Sequence, residues 1–290
     1  MTLRVSIKKF LKRLLRFLET KEYITINITQ LPKNQWLEGR KAIITGGTSG
    51  IGYEIACSFI ESGASVIITG RNQKKIDEIC NKIMSEKNCG QRIMGIQMDN
   101  SSVKDINNKI PKAIEKLNGI DILVNNAGIH GGHISSVTEE EYDMIMDTNL
   151  KGTFFLTKII AKYMKENKIH GNILNIASSS SVRPADSAYS LSKWGIRGFT
   201  EGMARSLVHY GIVVNGIAPG PTATPMLLKD NKDSNISWPL NLTGRMATAC
   251  EIANIATILV SNMGRMIVGD VIYMSGGGGI ITNEDVNFHF

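Results

Sequence analysis

Aromatic residues make up only 6% of this 290-residue sequence, and cysteine and proline are rarer still, with four and seven residues. Cys57, Cys80, Cys89 and Cys250 are scattered, with no CxxC spacing and no clustered histidine. That scatter argues against a zinc site and a disulfide framework, and fits a reducing, cytoplasmic compartment. No apolar run reaches the roughly 18 residues that a membrane-spanning helix needs. Internal repeats and low-complexity segments are missing as well. What remains is 42% hydrophobic and 20% charged, the balance of a globular chain with a real core. The length suits one large α/β domain or two small ones.

The net charge of +7 is unevenly placed. Residues 1–38 hold eight Lys and Arg against three Glu, which leaves that stretch at +5 and the remaining body at +2. A basic excess confined to an appendage gives little reason to expect nucleic-acid binding by the body. Within it, Ile7, Phe10, Leu11, Leu14, Leu15 and Leu18 recur at helical spacing while Lys8, Lys9, Lys12, Arg13 and Arg16 take the other side. The pattern predicts a basic amphipathic helix over 7–18. It could dock on protein or lie on an anionic membrane surface, and the sequence leaves both open. Charges break it too often for a signal-peptide core.

From residue 39 to 290 a single domain is expected. Short apolar strands near 41–45, 65–69, 92–98, 121–125, 171–177, 212–218 and 270–274 alternate with helices near 51–62, 73–87, 103–117, 139–167, 187–209 and 249–261. Continuous apolar strands between amphipathic helices predict an α/β, Rossmann-type, doubly wound parallel sheet of about seven strands, with helices on both faces. Between the first strand and the first helix runs Thr45-Gly46-Gly47-Thr48-Ser49-Gly50-Ile51-Gly52. Glycines at such a turn let backbone approach a pyrophosphate, and the helix N-terminus offers free N–H groups.

Three further segments appear in a fixed order: Asn125-Asn126-Ala127-Gly128, Tyr189-x-x-x-Lys193 and Asn215-Gly216-Ile217-Ala218-Pro219-Gly220. Together with TGxxxGxG at 45–52, they make the chain resemble the short-chain dehydrogenase/reductase family, in its compact single-domain branch, over about residues 39–277. The resemblance implies oxidoreductase activity on a carbonyl or alcohol with a nicotinamide cofactor. It implies cofactor contacts from Gly46, Thr48, Ser49, Gly50, Ile51, Gly52, Asn126, Ala127, Gly128, Pro219, Gly220, Thr222 and Thr224. By spacing, Thr224 is expected at the nicotinamide carboxamide and Thr222 at the phosphates. Asp99 is expected at the adenine amino group.

Cofactor preference turns on the end of the second strand. Gly70 stands where an acidic residue would bind a ribose 2′-hydroxyl, and Arg71 follows it. A guanidinium there suits a 2′-phosphate, so NADP(H) is expected and NAD(H) is the alternative.

Tyr189 and Lys193, four apart on a helix, share one face. Carbonyl reduction needs a proton donor, and a free tyrosine has a pKa of about 10. A neighbouring ammonium, together with the cofactor's positive nicotinamide, is expected to lower it. The resemblance adds Ser178 as the hydroxyl that polarises the carbonyl, with Ser179 a rival because the stretch to Tyr189 is about two residues short. It adds Asn149 as the holder of a water beneath Lys193. A nonenzymatic nucleotide-sensing module would lack the Tyr–Lys pair.

Residues 222–245 are expected to form a lid. Its polar content, with Met226 and Trp238 as apolar exceptions, suggests a small, polar substrate, and a solvated outer face accounts for the same residues. His130 and His133, flanking Gly131-Gly132, could reach the pocket mouth or be surface-loop residues, and no metal is called for. Gly195, Gly198 and Gly202 form a small-residue stripe on the helix of Tyr189, which suits close helix approach in a homodimer or homotetramer.

Overall fold

The structure, a computed structural model, describes residues 32–228 and 235–278. The basic stretch 7–18 and residues 229–234 of the expected lid lie outside them. Among the described residues nine strands follow in chain order: β1 (Lys41–Ile44), β2 (Ser65–Gly70), β3 (Ile93–Gln97), β4 (Ile122–Asn125), β5 (Asn172–Ile176), β6 (Val213–Pro219), β7 (Thr222–Ala223), β8 (Ala247–Thr248) and β9 (Val271–Met274). The helices are α1 (Gly50–Glu61), α2 (Gln73–Lys87), α3 (Val103–Leu117), α4 (Glu139–Met146), α5 (Gly152–Glu166), α6 (Ala188–Leu207), α7 (Pro225–Leu228) and α8 (Ala249–Val260).

Seven strands form one parallel sheet in the order β3-β2-β1-β4-β5-β6-β9, and β7 pairs with β8 outside it. The pairing is in register, Ile43 with Ile67 and Ile44 with Ile68 across β1 and β2. Successive side chains along a strand point to opposite faces. Ile44, Ile68, Val124 and Leu174 therefore pack with Ile55, Phe59, Ile76 and Ile252 of α1, α2 and α8. Ile43, Ile67, Leu123 and Ile173 pack on the other face with Ile106, Leu156, Ile160 and Leu207 of α3, α5 and α6. Burying each such side chain contributes about 1.5–3 kcal/mol. Two buried faces explain why the strands read as unbroken apolar runs. The core begins slightly before residue 39: Leu37 is fully buried, and its N–H donates to the Ser62 carbonyl.

Side-chain caps start most helices. Asn72, Ser102, Thr138 and Ser187 each accept a backbone N–H in the first turn, and Thr248 forms a reciprocal capping box with Glu251. Thr248 and Glu251 open α8 at the end of the lid. The helix expected over 139–167 is not uniform. A π-turn, Asp147–Lys151, joins α4 to α5, and Asn149 sits inside it. The strand order reverses between β1 and β4, and in such sheets ligands bind at the carboxyl ends of the strands beside that switch. The expected site residues occupy that rim.

Candidate active site

The glycine turn leaves β1 directly above the switch. Gly46 and Gly50 have φ of 64° and 56°, in the left-handed region that favours glycine. At Gly52 a Cβ would lie 2.5 Å from the Gly46 carbonyl oxygen and 2.4 Å from Asn126 Nδ2, so any side chain there would fill the cradle. Ser49 precedes α1 in extended conformation and makes no side-chain cap, unlike the capped helices above. The first N–H groups of α1 are thus left for an external acceptor, as a pyrophosphate site requires. Thr48 lies over the end of β2, 3.1 Å from a Cβ placed on Gly70, while Ile51 packs on the core. Thr224 covers Gly50 from the other side, 3.4 Å from its built Cβ. This puts Thr224 against the glycine turn itself. Thr222 is buried, with its hydroxyl donating to the Gly220 carbonyl at 2.9 Å.

The Asn-Asn-Ala-Gly segment braces this turn. Asn126 Nδ2 donates to the carbonyls of Thr45 and Gly46 at 2.9 and 3.1 Å. Its own N–H and that of Ala127 both donate to Thr45 Oγ1 at 3.0 Å. Asn125 continues the brace inward: its Nδ2 donates to Thr157 Oγ1 and Asn175 Oδ1, and Asn175 Nδ2 donates to Thr200 Oγ1. These buried bonds tie β4 and β5 to α5 and α6. Pro219 ends β6, and Gly220 approaches Ser275 so closely that a Cβ would lie 2.8 Å from its Cα.

At the end of β2, Arg71 is exposed and borders a groove with Gln97, Asp99, Asp105 and Lys109. Asp99 Oδ1 accepts from the N–H and hydroxyl of Ser101, and the Asp99 N–H donates to Asp105. The groove is therefore shaped by the ends of β2 and β3 and by α3. Lys109 comes to it from α3 and had no motif to announce it.

The candidate reacting groups converge where α6 passes the ends of β4 and β5. Lys193 Nζ lies 5.6 Å from the Tyr189 ring centroid and donates to the Ile176 carbonyl at 2.8 Å. It is 5% exposed, and burial pulls its pKa down to about 8. Tyr189 moves the opposite way: burial pushes its phenol above the ordinary value, and a hydrogen bond with Ser178 offsets part of that rise. Lowering of this pKa, expected from the lysine, is thus not found in the protein alone, because removal from water outweighs it. Ser178, rather than Ser179, provides the hydroxyl beside the phenol. The missing two residues are absorbed by a 3₁₀ turn, Ser179–Val182, in which Ser178 also accepts the Ser180 N–H at 3.1 Å.

Asn149 is buried, and its side chain faces Ile129. It accepts the Ile129 N–H at 2.8 Å, and its Nδ2 donates to the Ile129 carbonyl and to Ser192 Oγ. A Cβ on Gly128 would lie 3.4 Å from Asn149 Oδ1 and 3.6 Å from Lys193 Nζ. Glycine at 128 therefore keeps open a small space between those two groups.

The two loop histidines part company. His133 is exposed and pairs with Ser135 and Asp186. His130 instead packs on Tyr189, with ring centroids 4.6 Å apart, a contact that the sequence did not suggest. The lid also differs from expectation. Asn241 turns inward, buried, and donates to the Arg245 carbonyl, whereas Met226, Leu227, Leu240 and Leu242 are exposed. The small-residue stripe splits: a Cβ on Gly195 would meet Leu150 at 2.9 Å, while Gly198 and Gly202 face open space. Gly195 thus serves packing within the chain. No group of three or more His, Cys, Asp or Glu among the described residues could hold a metal ion, and no helix among them is long and apolar enough to cross a membrane.

A family model described as short chain dehydrogenase matches residues 40–235. A (2S)-[(R)-hydroxy(phenyl)methyl]succinyl-CoA dehydrogenase subunit from Thauera aromatica is 34% identical over 244 residues, which cover 83% of this chain and 97% of that protein. Among solved structures, a short chain dehydrogenase from Burkholderia cenocepacia in complex with NADP superposes with a TM-score of 0.75 at 28% identity, over 84% of this chain and 99% of that one. A 3-ketoacyl-(acyl-carrier-protein) reductase from Brucella melitensis complexed with NADH gives 0.75 at 30% identity over the same shares.

Proposed function

The chain belongs to the short-chain dehydrogenase/reductase family and is an oxidoreductase acting on CH–OH groups; from that premise we propose that it interconverts a carbonyl and a secondary alcohol with NADP(H). The observation that carries this reading is the convergence of Tyr189, Ser178 and Lys193 beside a glycine turn that any side chain would fill.

In this reading the turn from Gly46 to Gly52, with Thr224 over it, holds the phosphates. Asn126 and Ala127 keep that turn in shape, and Asp99 meets the adenine. Arg71 takes the 2′-phosphate, which favours NADP(H) over NAD(H). A bound nicotinamide cofactor would supply or accept the hydride and, in its oxidised form, would carry positive charge. Tyr189, held protonated by burial, is loaded to give its proton to the carbonyl oxygen as the alcohol forms. Ser178 donates a hydrogen bond to the same oxygen and fixes its position. Lys193 holds the ribose hydroxyls and adds positive charge beside the phenol when Tyr189 must act as base. Asn149 and Lys193 hold a water in the space at Gly128, through which Tyr189 regains its proton.

The set of polar lid residues favours a polar substrate, but the exposed Met226, Leu227, Leu240 and Leu242 favour one with an apolar portion as well. We place the protein in the cytoplasm as a homodimer or homotetramer. Its α5–α6 face supports assembly, since Phe154, Leu191 and Trp194 are exposed beside the open Gly198 and Gly202. Membrane contact through 7–18 is a separate proposal that deletion of 1–31 with liposome binding would test.

The deciding experiment is a screen of ketones and secondary alcohols that follows nicotinamide absorbance, with Tyr189→Phe as control. Turnover that falls at least 100-fold in Tyr189→Phe is the expected result. Full activity in that variant on a confirmed substrate overturns the mechanism.

A further inference from the structure

His130 lies in the loop that follows β4, and its imidazole covers the Tyr189 ring at 4.6 Å with the planes tilted by 43°. The residue is exposed, and neither ring nitrogen has a hydrogen-bond or ion-pair partner among the described residues. His133, three residues on, is instead engaged by Ser135 and Asp186. The loop that carries His130 is pinned on both sides. Asn149 grips Ile129 at both its N–H and its carbonyl. The Gly132 N–H donates to Glu141, and the Gly132 carbonyl accepts from the Ala188 N–H, next to Tyr189. Backbone anchors therefore hold the imidazole on the phenol, and its polar edge is left free at the mouth of the site. Packing alone would be met by any flat apolar side chain. What histidine adds is a hydrogen-bonding edge with nothing in the chain to satisfy it.

We propose that His130 is a second substrate anchor, hydrogen-bonding an acceptor oxygen beside the reacting carbonyl, so that the enzyme prefers 3-oxo esters, thioesters or acids to plain ketones. This rests on the reading of Tyr189 as the group that meets the reacting oxygen. Rings whose centroids are 4.6 Å apart bring the phenol and the imidazole within reach of one small substrate. With hydrogen bonds of about 2.8 Å from each, two acceptor oxygens roughly 3–5 Å apart can engage both groups. Oxygens on the first and third carbons of a chain have that separation. A plain ketone leaves the imidazole edge unmatched.

Tyr189→Phe keeps the aromatic ring and removes the proton donor, so binding can be read apart from turnover. In its complex with NADP⁺, the His130 imidazole C–H signal is followed by NMR while ethyl acetoacetate or 2-heptanone is added, the signal being assigned by its loss in His130→Phe. Ethyl acetoacetate is expected to shift it and 2-heptanone is not. In turnover, the chain with Tyr189 intact is expected to prefer ethyl acetoacetate at least tenfold in kcat/KM. His130→Phe is expected to lower that ratio about tenfold through KM, and His130→Gln to restore part of it. A signal indifferent to both compounds, or a ratio unchanged in His130→Phe, overturns the proposal. If the signal responds but neither compound consumes NADPH, the anchor stands and the hydride-transfer reading falls.

Discussion

Asn149 grips Ile129 from both sides, accepting its N–H at 2.8 Å and donating to its carbonyl at 3.0 Å. The π-turn at 147–151 carries the asparagine, and the loop after β4 carries Ile129, so one side chain joins the two walls of the site. Its Nδ2 also reaches Ser192 on α6. Leaving a buried hydrogen-bonding group without a partner costs about 1–3 kcal/mol. Asn149→Ala is therefore expected to lose about 2–4 kcal/mol of stability, read as a lower melting temperature by differential scanning calorimetry. Asn149→Asp, which keeps the acceptor for the Ile129 N–H, is expected to lose less. An unchanged melting temperature in Asn149→Ala would show that the grip carries no stability.

Lys193 stands in the protein as a charge removed from water, with its pKa drawn from 10.5 to about 8 by burial. Between those two values the unfolded chain binds more protons than the folded one, so this group makes stability rise with pH across that window and be lowest below it. Lys193→Met removes the charge and keeps the stem, at the cost of the bond to the Ile176 carbonyl. The net expected at neutral pH is a gain of about 1–2 kcal/mol together with a loss of at least 100-fold in turnover. Thermal melts at rising pH check the sign: the advantage of the variant must shrink from about 8 towards 10.5.

Arg71 is exposed at the edge of the groove formed with Gln97, Asp99, Asp105 and Lys109. Guanidinium pairing with a 2′-phosphate is worth about 1.5–3 kcal/mol as a charge-assisted hydrogen bond. Arg71→Ser is expected to raise KM for NADPH about tenfold or more and to leave KM for NADH within twofold. Steady-state kinetics with both cofactors decide it. Equal losses for the two would remove the 2′-phosphate from the role of Arg71.

Much of this was readable from residue order. The helices expected at 73–87 and 103–117 are observed with those bounds, and the strands fall within a residue or two of their expected ends, because unbroken Val and Ile runs alternate with amphipathic stretches. The seven-stranded parallel sheet follows from the same pattern, and the family resemblance from the motifs at 45–52, 125–128, 189–193 and 215–220. The π-turn at Asn149 was not readable, since a shift of one hydrogen-bond register leaves no mark on periodicity. The choice of Ser178 over Ser179 depended on how a short loop would close, which a 3₁₀ turn decided. A place for His130 near the pocket mouth was open in the sequence, but its packing on Tyr189 was not readable, and neither was Lys109 beside Arg71. Each reaches its neighbours from an element distant in sequence, and neither lies in a motif.

Gly195 and Gly198 look alike in sequence yet face different surroundings. A Cβ on Gly195 would touch Leu150 at 2.9 Å, whereas Gly198 and Gly202 have nothing within 4 Å. Alanine in place of an unobstructed helical glycine gains about 0.5–1 kcal/mol. The chain keeps glycine at both open positions, flanked by exposed Leu191, Trp194 and Phe154, as close packing against another helix would require. A bulky side chain there must then keep the second helix away. Gly198→Leu and Gly202→Leu are each expected to turn the assembly into monomers in sedimentation velocity, with the melting transition still cooperative. Gly195→Ala is expected to leave the sedimentation coefficient unchanged, because its contact lies within one chain. If the Leu variants sediment like the parent, the partner copies meet on some other face.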